Sequence, residues 1–184
     1  MFILILGVAL WWAAHLFKRA APGVRARLGG RGKGIVALVL VVSVVLMVLG
    51  YRAAPAGDVW WGPSPMLKGI NNVIMLAAVY LFAASGMKTA IARKVRHPQL
   101  LGFASWAFAH LLVNGDLPSL VLFGGLLVWA VVEMVVINAM EPDWQAPAEP
   151  APIRKEVMAV IGTLVVFALI GLVHNWLGYN PFGT

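Results

Sequence analysis

Few side chains in this sequence could do chemistry, and most of those are histidines. His15, His110 and His174 each fall within a long apolar stretch, His97 stands at the edge of another, and Glu133 is the one carboxylate inside such a stretch. Cysteine is absent. That excludes disulfides, iron–sulfur clusters, thiolate-ligated haem and cysteine-bound zinc, so any metal centre would use His, Met, carboxylate or Tyr. A neutral imidazole can carry a proton or ligate a metal, including the iron of a haem held in a helical bundle. His15 follows Trp11 by four positions and His110 follows Trp106 by four. On helices each imidazole then shares a face with an indole one turn away. Two such faces could line a porphyrin with His15 and His110 as axial ligands; equally, each histidine could simply bond a backbone carbonyl or a neighbouring helix.

Depth bears on that pairing. At ~1.5 Å per residue, His15 lies about 8 Å nearer one membrane face than His110, a gap that helix tilt or a deeper start of the fourth helix would have to close. His174 lies near the other face with Asn71 and Asn72, where an interfacial role is expected. Glu133 is expected either to pair with Arg96, Arg93 or Arg19, or to act as an acceptor for a ligand histidine or a proton donor to a substrate. In Arg96-His97-Pro98 the proline sets the first turn of the fourth helix. The resulting N-terminus, with Arg93 and Lys94, favours anions such as propionates or lipid phosphates.

The elements that must position these groups are membrane helices. Of 184 residues, 61% are hydrophobic and only 11% charged, against a usual ~25% charged in soluble domains. Six apolar stretches stand out, at 2–17, 34–50, 70–87, 98–113, 117–140 and 157–177. With ~20 residues per crossing they give one integral membrane domain over 1–184, an all-α polytopic bundle of about six helices. The first and fourth are short for an unaided crossing. The opening segment lacks a basic lead and a small-residue cleavage pattern, so it reads as a retained helix.

The net charge of +7 points to orientation and not to nucleic acid. Lys18, Arg19, Arg25, Arg27, Arg31 and Lys33 follow the first helix, Lys88, Arg93, Lys94 and Arg96 follow the third, and Arg154 and Lys155 follow the fifth. Only Arg52 and Lys68 fall on the other side. The odd loops are therefore expected in the cytoplasm and both termini outside, which in a Gram-negative bacterium would be the periplasm. Trp60 and Trp61, between Pro-rich flanks, read as interfacial anchors, and Pro142 to Pro152 as an extended linker with Glu141, Asp143 and Glu149 solvated. Asn114-Gly115-Asp116 reads as a tight turn into Leu117-Pro118. The first two helices and the last two read as hairpins beside a central pair. Phosphate-cradling loops, dinucleotide fingerprints, His-Glu-x-x-His zinc pairs and nucleic-acid modules are missing.

The sequence resembles the NnrU family of bacterial membrane proteins along nearly its whole length. His15-Leu16, Ala21-Pro22-Gly23 with Arg25, and Leu49-Gly50-Tyr51 match its opening. The most specific block is Arg96-His97-Pro98-Gln99-Leu100-Leu101-Gly102, continuing through Trp106, Ala109-His110-Leu111-Leu112 and Asn114-Gly115-Asp116. The resemblance implies a part in denitrification, in nitrite and nitric oxide reduction. That family is similar to plant 15-cis-zeta-carotene isomerase, a membrane haem enzyme, whose axial histidines would fall on His110 and His15. Where the isomerase has a cysteine three residues before its histidine, this chain has Ala107, which removes a thiolate ligand switch. The Arg-His-Pro block also resembles membrane methyltransferases that use S-adenosylmethionine, although Leu100 stands near the place of their usual tyrosine.

The resulting expectation is haem b between His15 and His110, with Trp11 and Trp106 beside the macrocycle and Arg19, Arg25, Arg96 and His97 toward its propionates. The partners implied are the bilayer, haem, and a hydrophobic small molecule or a denitrification reductase. The alternatives are an isoprenoid or carotenoid isomerase-like enzyme, a methyltransferase-like protein and a non-catalytic reductase assembly factor. Whether the chain is an enzyme stays open. Its lack of cysteine makes the orientation directly testable: in intact cells a membrane-impermeant thiol reagent should label Asp58→Cys and spare Ala26→Cys, and the opposite pattern would invert the topology.

Overall fold

Within hydrocarbon every backbone N–H and C=O must be satisfied by the chain itself, and helices do this locally. The computed structural model describes residues 1–55, 57–149 and 151–183. Helix accounts for 77% of the described residues. The long elements are α1 (Phe2–Ala20), α3 (Arg31–Ala53), α4 (Pro65–Met87), α6 (Pro98–Val113), α8 (Gly125–Met140) and α9 (Ile153–Trp176). Short helices α2 (Pro22–Arg27) and α5 (Ala90–Lys94) lie in the basic loops, and α7 (Leu117–Ser119) leads through a π-helical turn, Leu120–Gly124, into α8. The stretch Leu117–Met140 is thus one span, and with α1, α3, α4 and α9 makes five helices long and apolar enough to cross a membrane. The 16-residue α6 is the sixth apolar helix.

These helices extend past the apolar runs that announce them. Ser64 caps α4 by accepting from Leu67 N at 3.2 Å, with Pro65 in the first turn, so α4 begins five residues before Ile70. Large apolar side chains face outward along the spans, as at Leu38, Val73 and Leu172, each more than 60% exposed. In water such a surface would aggregate; in a bilayer it is the lipid contact.

Small residues let the helices approach. In the α1–α3 hairpin Ser43 Oγ donates to Gly7 O at 2.9 Å. A Cβ on Gly7 would lie 2.8 Å from Met47 N, and one on Gly50 would run into the backbone of Leu4. Across α4 and α6, Gly102 sits against Ala78 O, with Ala84, Ala107 and Ala109 fully buried. Membrane helices associate largely through such close contact. The two expected hairpins differ in outcome: α1 packs closely on α3, whereas α9 leans on α4 and α8 packs on α6.

Two sets of bonds tie the ends of the bundle. At the basic end Arg93 donates to the carbonyls of Pro147 and Ala148 at 2.9 Å, Arg96 to that of Glu141, and Ala90 N to Glu156 Oε1 at 2.6 Å. The Pro142–Pro152 linker has no helix or strand among its described residues and bends at Ala148 and Glu149, and its Pro150 lies outside the described residues. At the other end β1 (Val59–Trp61) pairs antiparallel with β2 (Gly115–Asp116). Within the expected tight turn at Asn114-Gly115-Asp116, Gly115 and Asp116 are therefore paired as a strand, and the Trp61 ring lies where a Gly115 Cβ would stand. Trp61 Nε1 donates to Leu111 O at 2.7 Å, tying the end of α6. Tyr51 OH donates to Ser119 Oγ at 2.8 Å, and Ser119 Oγ in turn donates to Asp116.

Gly50→Ala should lower stability in detergent by about 1–3 kcal/mol through forced separation of α1 and α3. Gly34→Ala, on the same helix with open space at its Cβ, should be neutral or slightly stabilising. Thermal unfolding of the two variants side by side checks the pair.

Candidate functional site

An aromatic seam runs through the bundle and carries the expected site residues on it. Trp11 of α1 stacks on Phe103 of α6, with centroids 5.7 Å apart and planes at 18°. Trp129 of α8 meets Trp11, Phe103 and the His15 ring edge-on or tilted, at 5.3, 5.1 and 4.5 Å. Phe103 continues to Trp106 at 5.1 Å, and Trp106 to His110 at 5.0 Å. Trp11 and Trp106 therefore do sit beside His15 and His110, as their four-residue spacing requires.

The same seam separates the two histidines. From the level where Trp11 meets Phe103, His15 lies four residues toward the basic end and His110 seven residues toward the other. At ~1.5 Å per residue this is about 16 Å along the bundle. One iron needs its two axial nitrogens about 4 Å apart. His15 and His110 thus do not form a common axial pair. A deeper start of α6 would widen this gap, because it would move His110 further from the basic end.

His15 belongs instead to a polar column at the basic half. Its Nδ1 donates to Trp11 O at 3.0 Å. One turn further, Arg19 Nη1 meets Glu133 Oε1 at 2.6 Å, and Arg19 Nη2 reaches Glu141 at 3.5 Å. Glu133 therefore takes the expected arginine partner, and Arg19 is the one of the three that provides it. Glu133 Oε2 and the indole N–H groups of Trp11 and Trp129 are buried without a partner among the described residues.

The other expected anion contacts are also engaged at this end. Arg25 Nη1 donates to Gly29 O at 3.1 Å, Arg96 bonds the Glu141 carbonyl, and His97 Nε2 lies 2.8 Å from Asn138 Oδ1. Pro98 occupies the first turn of α6 and His97 its N-cap position, as expected. These groups lie about 18 Å from His110 along the helix, so they do not share a site with it.

His110 sits within one turn of the opposite end and has a different neighbour. Its Nδ1 donates to Trp106 O at 2.9 Å, and its ring stacks on Phe123 at 4.6 Å with planes at 27°. Phe123 comes from the π-helical turn Leu120–Gly124, a local widening often found at functional sites. The His174 ring stands 6.4 Å from that of His110, and its own Nδ1 donates to Ile170 O at 2.8 Å. Asn71 and Asn72, expected beside His174, differ in outcome: Asn72 Nδ2 donates to Pro181 O at 3.0 Å, anchoring the C-terminal tail, and Asn71 Oδ1 is buried without a partner.

Phe103, Phe123, Trp129 and Asn138 were not singled out in the sequence. Trp129 stands four residues before Glu133, a spacing that marks it on the same face. Phe123 carried no such signal, since the π-helical turn that aims it is a product of packing. Among the described residues no group of three or more His, Asp or Glu side chains could hold a metal ion.

The family model described as NnrU protein matches residues 3–181, and the chain belongs to that family. Comparison with curated proteins and with solved structures gives no match.

Arg19→Ala should destabilise the protein by about 3–5 kcal/mol, because it strands a buried carboxylate. Joint replacement, Arg19→Met with Glu133→Leu, should recover most of that loss. Thermal unfolding in one detergent would show it, and a loss below about 1 kcal/mol in Arg19→Ala would remove the pair from the core of the fold.

Proposed function

We propose that this NnrU-family protein is a bacterial inner-membrane haem b protein that supports denitrification, its basic loops in the cytoplasm. The observation that carries the reading is the setting of His110, a ring held between Phe123 and Trp106 with a second imidazole 6.4 Å away. A carbonyl can only accept, so the bond to Trp106 O places the proton on Nδ1 and leaves the Nε2 lone pair available. Orientation of a ligand imidazole by such a bond is the usual support of a metal site. Phe123 stacks on the ring and Trp106 flanks it, which holds its plane.

The donor set fits a haem better than a bare ion. A protein-bound zinc takes three or four side-chain ligands, and none of the described clusters supplies three. Haem brings four nitrogens of its own and asks the protein for one or two more. Bound there, it would supply one-electron redox chemistry or a site for a small diatomic ligand. The residues around it would orient His110, exclude water and present an apolar wall, which suits a redox role in nitrite and nitric oxide reduction.

Full-length protein purified in detergent from haem-replete cells should show a sharp α band on dithionite reduction. His110→Ala should lower bound haem at least about tenfold, since even loss of an outer-shell partner of a metal ligand costs ~10–100-fold. Colourless wild-type protein would overturn the proposal.

A further inference from the structure

Resting on that haem reading, we infer that His174 is the second axial ligand, facing His110 across a site that opens to lipid near the outer ends of α6 and α9. The distance supports it first. Two imidazoles on opposite sides of one iron, with Fe–N bonds of ~2 Å each and ~1.2 Å from nitrogen to ring centre, have centroids about 6.4 Å apart. The observed separation is 6.4 Å. His15, about 16 Å away along the bundle, is too far to compete.

The state of the second ring matches that of the first. His174 Nδ1 donates to Ile170 O as His110 Nδ1 does to Trp106 O. Each ring therefore carries its proton on Nδ1 and keeps the Nε2 lone pair, the tautomer that axial ligation uses. Among the described residues no third His, Asp or Glu joins them in a metal-holding group, so the pair suits an ion that carries its own equatorial ligands better than a tetrahedral zinc.

Access comes from the way α9 is packed. It leans on α4 and does not pack closely on α6, so the two histidine-bearing helices meet through side chains. Beside His174 an apolar groove of about 250 Å³ runs along Val166, Leu169, Ile170 and Val173. These four side chains offer a hydrocarbon wall to a porphyrin edge arriving from the bilayer. The site lies at the end of the bundle that carries Arg52 and Lys68, the two cations outside the basic loops. Propionates at that end would lie far from Arg19, Arg25 and Arg96, and Lys68 there already donates to Gly183 O at 2.6 Å.

The test compares His174→Ala, His15→Ala and wild type by optical and electron paramagnetic resonance spectra of the full chain. Wild type and His15→Ala should share a low-spin, bis-imidazole spectrum. His174→Ala should retain haem on His110 but turn high-spin, and added imidazole should restore the low-spin spectrum, which a misfolded variant would not do. A coloured His174→Ala protein that stays low-spin would overturn the assignment and leave the haem reading standing. Colourless wild type would overturn both.

Discussion

The stacking of Trp11 on Phe103 sets the level of α1 against α6, and much else follows from it. Helices in a membrane gain little from apolar burial against one another, because lipid is as apolar as a leucine side chain. What fixes their depth is shape and the placement of large rings and small gaps. Here Trp129 closes on both stacked rings from α8, so three helices are locked at one height. Side chains above and below that level are then assigned to different halves of the membrane. The polar column of His15, Arg19 and Glu133 falls in one half, and His110 with His174 in the other.

The two ends hold this arrangement in different ways. At the basic end the strap from α8 to α9 is held by arginines that bond backbone carbonyls, a neutral use of a cation that leaves its charge to face headgroups. At the other end there are few charges. Order comes from a short β pairing, the Trp61 bond to the last turn of α6, and Lys68 and Asn72 holding the carbonyls of Gly183 and Pro181. The buried Arg19–Glu133 pair joins α1 to α8 across the interior. Its attraction is offset by desolvation, so its main effect is to specify which faces meet.

The architecture was legible because hydrocarbon imposes a simple rule on sequence: long apolar runs, charges at their ends. The limits of α6 and of the 117–140 span follow directly from Pro98 and Pro118 and from the polar residues beyond Val113 and Met140. The site was legible only locally. The Trp11–His15 and Trp106–His110 spacings correctly place each indole beside its histidine, since that contact lies within one helix. Whether two histidines share a level depends on how far each helix slides against the next. That offset is set by Phe103 and Trp129, which look like ordinary core residues in the sequence. The strand at Gly115-Asp116 was hidden for a similar reason: its partner lies more than fifty residues away, and neither segment has strand length.

Three histidines in this bundle share one local arrangement, with Nδ1 bonded to the carbonyl four residues back. That bond satisfies the ring within its own helix, and the hydrocarbon setting favours it whether or not a metal is near. Ligand character therefore cannot be read from the bond alone; it depends on which groups stand near the ring. For His15 the ring neighbours are two indoles, Trp11 and Trp129, which donate and do not ligate. His110 has a second imidazole in reach, and a flat aromatic from a π-helical turn to hold its plane. The difference between a structural histidine and a candidate ligand here is one of register, and register is what the aromatic seam supplies.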